Sequence, residues 1–326
     1  MNYSGFTTKL KLAYSPVSNY DFTFLKSEPI VMQILEGSML YIIAQRPILT
    51  FENVDKSEDG KSLVFDIAQE GINIRVNCSI PLSQPLILAM EKDEVEVVLF
   101  SHDKDWNQTT LPATRVTGMQ FFDQDGNFLL WLSPDKFLHH FSNRILEAGV
   151  NGDYRQLMKY NVHYVGKATE QKIWKRLTGH STLQDILSIE NPFDYGSLPT
   201  HEIVLLLFRS EDSFSFRVLD PKGNVDDFVD GLMGGKHPTE KDISLDAEKL
   251  LIKLLDPKYN KVKFPNYPVS KDGLHSFGYE RLAYQIQEDI TLVYKDGEII
   301  CNIDNKKCDI LGVVGRNSVE IIRPTQ

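Results

Sequence analysis

The densest group of chemically capable side chains is Tyr164-Val165-Gly166-Lys167, followed by Arg176 and His180. If the stretch after this strand is helical, Lys172, Arg176 and His180 fall at i, i+4 and i+8 and share one face. Ile173, Trp174 and Leu177 then cover the opposite, core-facing side. Between Arg155 and His180 there are six Lys or Arg, Lys167, Lys172 and Lys175 among them, and one acid, Glu170, a local charge of +5. Such a face either receives an anion or is simply solvated. A second feature is Glu248, whose i+3, i+4 and i+7 neighbours on an expected helix are Leu251, Ile252 and Leu255. A carboxylate inside an apolar stripe must be paired, hold a metal or open into a cleft, because burying it alone is costly. Asn260 lies twelve residues further on. These residue types suit phosphodiester cleavage, which needs neutralised charge on the phosphate, an activated water and a stabilised leaving oxygen.

The elements that must position these residues read as a mixed α+β segment. The order is a strand over Asn161–Val165, a helix over about 169–178, a short helix over about 182–188 and a strand over Glu202–Arg209, with a further strand suggested over Phe214–Leu219. A Gly- and Asp-rich loop precedes a helix from about Leu245 to Leu255, which Asp256-Pro257 ends. Residues before about 145 look β-rich. Ile30–Ile34, Leu40–Ile43, Leu63–Ile67, Ile72–Val76 and Val95–Phe100 are short apolar or alternating runs, and Asp123-Gln124-Asp125-Gly126 marks a hairpin before a helical pattern at Phe137, Phe141, Ile145 and Leu146. A C-terminal hairpin turns at Asp296-Gly297. Three segments are therefore expected: a β-rich domain at 1–145, which would target or regulate, a mixed α+β domain carrying these residues at 146–265 and a C-terminal extension at 266–326.

Charge first speaks against nucleic acid, since the 326 residues carry a formal −10. The first 150 residues hold 12 Lys+Arg against 19 Asp+Glu, −7, leaving 23 against 26, −3, for the rest. The acidity thus lies mainly away from the basic patch. The start of the chain lacks an apolar core of secretory type, and the apolar runs are far shorter than the roughly 20 residues that cross a bilayer. Three cysteines without metal-ligand spacing make structural disulfides and a zinc site unexpected, and a cytoplasmic location fits.

Together, Tyr164-Val165-Gly166-Lys167-Ala168, Arg176 with His180, Glu248 with Leu251-Ile252, and Pro257-Lys258-Tyr259-Asn260 resemble the GIY-YIG nuclease superfamily, in particular the excision-repair nuclease subunit and the Type II restriction enzymes of that group. The resemblance covers about residues 150–265. It implies a small mixed sheet flanked by helices, with the N-terminal β-rich domain and C-terminal hairpin tail appended. It also implies an endonuclease acting on DNA, with a restriction or defence role. In such an enzyme Glu248 holds one Mg²⁺ (or Mn²⁺), Arg176 binds the scissile phosphate and Tyr164 orients or deprotonates the water with help from Lys167 or His180. Asn260 ties the Glu248 helix to the cleft, while Gly166, Lys167, Lys172 and Lys175 contact substrate. The sequence departs from the pattern in the first half of the motif. Gly152-Asp153-Tyr154 is at a workable distance and offers Tyr154, with an Asp in place of an apolar residue, while Gly118-Met119-Gln120 begins a better strand without a tyrosine. The interval from Arg176 to Glu248, 72 residues, also exceeds a minimal core.

Other candidates have plainer readings. His139-His140 fits a helix core, His163 fits packing opposite Tyr164, and Asp226, Asp227 and Asp230 fit a solvated loop. Gly231-Leu232-Met233-Gly234-Gly235-Lys236 lacks phosphate-loop spacing. Two rival functions remain open: a module of this type that binds nucleic acid or a protein without cutting, and a β-rich interaction protein in which Tyr164, Arg176 and Glu248 do not meet. A homodimer is compatible with double-strand cutting.

Overall fold

The computed structural model describes residues 3–84, 95–107, 110–179, 181–190, 201–218, 237–304, 307–315 and 317–324. It is 40 % strand and 23 % helix. The chain forms two compact units that interleave along the sequence: residues 1–44, 160–186 and 204–326 make one, residues 45–159 and 187–203 the other. These units do not coincide with the sequential segments 1–145, 146–265 and 266–326.

The first unit is built on a ten-stranded mixed sheet. Its neighbours run Gly297–Ile300, Thr291–Tyr294, Lys159–Lys167, Leu40–Pro47, His201–Val218, Tyr3–Leu12, Arg281–Ile286, Ile310–Val314 and Ser318–Ile322, with Val17–Ser18 pairing His201–Val218 off this path. This corrects the expected small sheet flanked by helices. The expectation counted only strands near the motif, whereas the sheet recruits Tyr3–Leu12 and Leu40–Pro47 from the N-terminal region and the whole C-terminal tail. Tyr3–Leu12 shows why such recruitment was hard to see: it pairs antiparallel with His201–Val218 and parallel with Arg281–Ile286, partners about 200 and 275 residues away in sequence. Leu40 to Ala44 are all buried, so this central strand reads as a continuous apolar run rather than an alternation.

The long helix Glu240–Leu255 starts at a capping box, in which Thr239 and Asp242 satisfy each other's backbone groups, and it stops at Asp256 in left-handed conformation before Pro257. Its buried side includes Ala247, Leu250, Leu251 and Leu255. It also buries Asp246, which accepts hydrogen bonds from the hydroxyls of Tyr267 and Tyr284, each at 2.8 Å, and from the Leu274 amide at 3.0 Å. Ile30–Ile34, read from sequence as a strand, lies in the helix Pro29–Leu35. Proline at the first helical turn pre-sets the backbone there, which overrides the β-branched composition.

The second unit holds a four-stranded sheet in the order Gly149–Asn151, Arg75–Pro81, Ser62–Gln69, Leu49–Lys56, and a three-stranded one in the order Glu96–Phe100, Gly118–Phe122, Phe128–Leu132. The hairpin at Asp123 forms as expected. The helix Pro134–Ser142, capped by Ser133, packs Phe137 edge-on against Phe65 and Phe51. Below it Arg46, fully buried, pairs with Asp135 and with Glu202 at 2.5 Å, both carboxylates also buried. His139 and His140 belong to this interior. Burial, with Lys136 adding, lowers them to about 4 and about 3, so they are neutral core groups at pH 7.

Candidate functional site

The site begins where Leu40–Pro47 and Lys159–Lys167 lie side by side in the first unit's sheet. Each strand contributes a tyrosine. Tyr41 is wholly buried and Tyr164 half-buried, and their ring centroids stand 6.0 Å apart at 35°. Gly166 permits this approach: a Cβ there would come within 2.5 Å of the Tyr41 ring and 2.6 Å of the Tyr164 ring. The glycine is required by space, not by backbone conformation.

The helix Ile173–Thr178 delivers the third member. Ile173, Trp174 and Leu177 are buried, and the Trp174 indole stacks on Phe22 at 5.3 Å, which fixes the rotation of this short helix. Arg176 is thereby left half-buried, with its guanidinium interacting with both phenols. Burial works against the Arg176 charge, but Tyr41 and then Tyr164 outweigh it, and the guanidinium stays above its ordinary value. For Tyr41, burial pushes the phenol well up and Tyr164 adds to this, while Arg176 opposes it. Tyr41 is accordingly a neutral hydrogen-bonding group, whereas Tyr164 is the phenol with access to solvent.

At the end of the same strand Lys167 reaches the Glu248 carboxylate, Nζ to Oε2 at 2.8 Å. Glu248 is 7 % exposed, and its Oε2 accepts no hydrogen bond of good geometry, so the contact is an ion pair by distance. Burial raises the Glu248 carboxyl above its ordinary value, opposed by Lys167 and Lys249, with Asp272 adding to the rise. Lys249 is itself buried and held by Asp272. From Tyr164 to Lys167 is three residues, about 10 Å of extended chain. Asn260 locks this strand: its Oδ1 accepts from the Val165 amide at 2.9 Å and its Nδ2 donates to the Val165 carbonyl at 2.8 Å.

The chain matches no protein family, no curated protein and no solved structure. The arrangement must therefore speak for itself.

Of the residues singled out from sequence, Tyr164, Gly166, Lys167, Arg176, Glu248 and Asn260 fall within one unit in two contact groups, Tyr164 and Gly166 with Arg176 and Tyr41, and Lys167 with Glu248, joined by the strand whose Val165 backbone Asn260 holds. Lys172 sits at the N-cap of the Arg176 helix, outside its regular turns, and pairs with Glu36. The expected three-membered basic face is therefore shorter than its spacing suggested. Lys175 is exposed. His180 lies outside the described residues, as do Asp226, Asp227, Asp230 and the Gly231–Lys236 loop. Tyr154 belongs to the other unit, where it packs edge-on against Phe141 at 5.6 Å. His163 packs against Tyr259.

The residue that sequence reasoning missed is Tyr41. A tyrosine partner for Tyr164 is expected within a few tens of residues, at Tyr154, whereas 123 positions separate Tyr41 from Tyr164. Residues 48–158, all in the second unit, lie in sequence between the paired strands. The signal was a tyrosine in the apolar run Leu40-Tyr41-Ile42-Ile43, preceded by Gly37.

Among the described residues no three His, Cys, Asp or Glu cluster as a metal site. A cation here would rest on Glu248 with water and substrate oxygens. Glu248 is one hard carboxylate whose Oε2 is held by Lys167, so Mg²⁺, which takes one or two carboxylates and keeps several waters, would bind there in place of that ammonium. No helix among the described residues is long and apolar enough to cross a membrane.

Proposed function

We propose that this chain is a metal-dependent endonuclease that hydrolyses phosphodiester bonds in DNA, using the GIY-YIG set of residues with Tyr41 as the first tyrosine. The observation that carries the reading is the meeting of Arg176 with two phenols from adjacent strands, on a strand whose end pairs with the buried Glu248. Arg176 offers a planar guanidinium for two phosphate oxygens, and the phenols hold it in place. Tyr164, half-buried beside the Arg176 guanidinium, orients the attacking water and, as its phenolate, takes the water's proton to become the phenol. Tyr41 positions Arg176 and Tyr164 from within the core. Lys167 reaches from the same strand toward phosphate once it leaves Glu248. A divalent cation on Glu248 supplies charge to the phosphate and the leaving oxygen when bound. The inserted unit is the part of the chain free to choose the target, and a restriction or defence role rests on the resemblance to restriction enzymes of this group alone.

The test is plasmid cleavage by the purified protein with Mg²⁺ or Mn²⁺. Nicked or linear product that disappears in Glu248→Gln and in Arg176→Ala is the expected result. Absence of product, or product unaffected by both substitutions, overturns the proposal. One observation favours a second reading, a module that binds nucleic acid without cutting: the Lys167 ammonium already neutralises Glu248. Salt-sensitive DNA binding with no product in either metal would select it.

A further inference from the structure

The same sheet presents an outward face of different composition. Along Tyr3–Leu12 the even positions Phe6, Thr8, Leu10 and Leu12 are buried, and the odd positions Lys9 and Lys11 look the other way, partly exposed. Register carries this face across strands. Gly5 stands opposite Phe216, Thr7 opposite Phe214 and Lys11 opposite Arg209, while the parallel neighbour sets Arg281 beside Gly5.

Phe214 is 62 % exposed and Phe216 39 %, with ring centroids 6.5 Å apart and only 26° between their planes. Phe216 lies flat across Gly5, where a Cβ would come within 2.5 Å of the ring. A lone exposed apolar residue needs no explanation, but a stacked pair in register with cations forms a patch. The face carries Lys9, Lys11, Arg209 and Arg281 against Glu211 and Asp212, four charges against two, in a chain of net −10. The ion pairs Lys9–Asp212 at 2.8 Å, Lys11–Glu211 at 3.6 Å and Arg209–Glu211 at 2.6 Å are solvent-accessible, so they hold the cations weakly and exchange readily for phosphate.

We propose that this sheet face binds single-stranded DNA, with unpaired bases stacking on Phe214 and Phe216 and the phosphates following the basic positions. Aromatic rings combined with a basic track suit single strands, whose bases expose their faces, while the bases of a duplex are stacked on one another. The proposal rests on the reading of the chain as a DNA endonuclease and gives that enzyme a second contact, with a single-stranded tract beside the DNA it cuts.

The experiment measures binding of a labelled oligothymidylate of about 12 nucleotides, within the usual span of such sites, to full-length Glu248→Gln. Phe214→Ala and Phe216→Ala are each expected to weaken binding about tenfold or more. Lys9→Ala with Lys11→Ala is expected to lower the salt slope by about 1.4, two single-strand phosphates. Phe214→Leu, which keeps apolar area at this exposed position, should also lose affinity and guards against misfolding of the alanine variants. Unchanged affinity in the phenylalanine variants overturns the proposal. So does tighter binding of the matching oligouridylate, or a change in sedimentation that marks the face as a contact with a second copy. Plasmid cleavage by the wild-type protein alongside phenylalanine-independent binding would sink this inference alone. Phenylalanine-dependent binding without cleavage would sink the nuclease reading alone.

Discussion

Asn260 grips Val165 by both backbone groups, accepting from its amide at 2.9 Å and donating to its carbonyl at 2.8 Å. A side-chain amide thus stands where a neighbouring strand would, and it fastens the segment after the Glu248 helix to the strand bearing Tyr164 and Lys167. Asn260→Ala orphans two buried backbone groups, at about 1–3 kcal/mol each. Asn260→Asp restores the acceptor but not the donor, so its stability should fall between wild type and Asn260→Ala in urea denaturation. Equal stability of all three proteins would show that water replaces the amide at little cost.

This bond was within reach of the sequence, and the reasons some features were readable and others not are physical. Glu248 stood out because a carboxylate amid Leu251, Ile252 and Leu255 violates helix amphipathicity. Arg176 followed from helical spacing, and Asn260 and Gly166 from the resemblance of their short motifs to a nuclease family. Tyr41 did not, because strand pairing is non-local and nothing in Leu40-Tyr41-Ile42 encodes a partner beyond the long insertion of residues 48–158. The ten-stranded sheet escaped for the same reason, the antiparallel and parallel partners of Tyr3–Leu12 lying about 200 and 275 residues away. Ile30–Ile34 misled because β-branched composition was weighed above the proline that starts its helix.

Gly166→Ala should destabilise by about 1–3 kcal/mol, since a methyl group enters the space of both tyrosine rings. Coupling identifies the cause better than the loss alone. Tyr41→Ala opens the space that the methyl needs, so the double variant should be more stable than the sum of the single losses requires. Strict additivity in thermal unfolding would place the strain elsewhere.

Glu248 makes stability depend on pH in a definite direction. Its carboxyl is raised by burial above the ordinary 4.5, so the folded state keeps a proton that the unfolded state has lost. The group's favourable contribution is complete below about pH 4.5 and declines as pH rises through the higher folded value. Glu248→Gln removes that titration. The difference in melting temperature, variant minus wild type, should therefore grow from pH 4 towards pH 7. A difference that shrinks over this range would mean that the Lys167 pairing outweighs desolvation.

In the second unit, Arg46 neutralises two buried carboxylates, Asp135 and Glu202. Arg46→Met strands both and should cost about 3–5 kcal/mol. Replacing all three by apolar residues of similar size, Arg46→Met with Asp135→Leu and Glu202→Leu, should recover most of that loss, because no uncompensated charge remains. A triple variant as unstable as the single one would show that the network shapes this interior as well as balancing its charge.

The two phenols separate chemistry from positioning. Tyr164 is half-buried and meets solvent, while Tyr41 is enclosed and held neutral by its burial. If Tyr164 takes the proton of the attacking water, Tyr164→Phe should reduce cleavage by roughly 10²- to 10⁴-fold. Tyr41→Phe keeps the ring and loses only the hydroxyl that helps to hold Arg176. About a tenfold loss is expected, some 1.4 kcal/mol, with the shape of the pH profile preserved. Arg176→Ala, which removes the group facing both phenols, should fall by roughly 10²- to 10³-fold and gain nothing further from Tyr41→Phe, since Tyr41 acts through Arg176. A Tyr41→Phe loss that persists undiminished in the Arg176→Ala background would assign Tyr41 a part in the chemistry independent of the guanidinium.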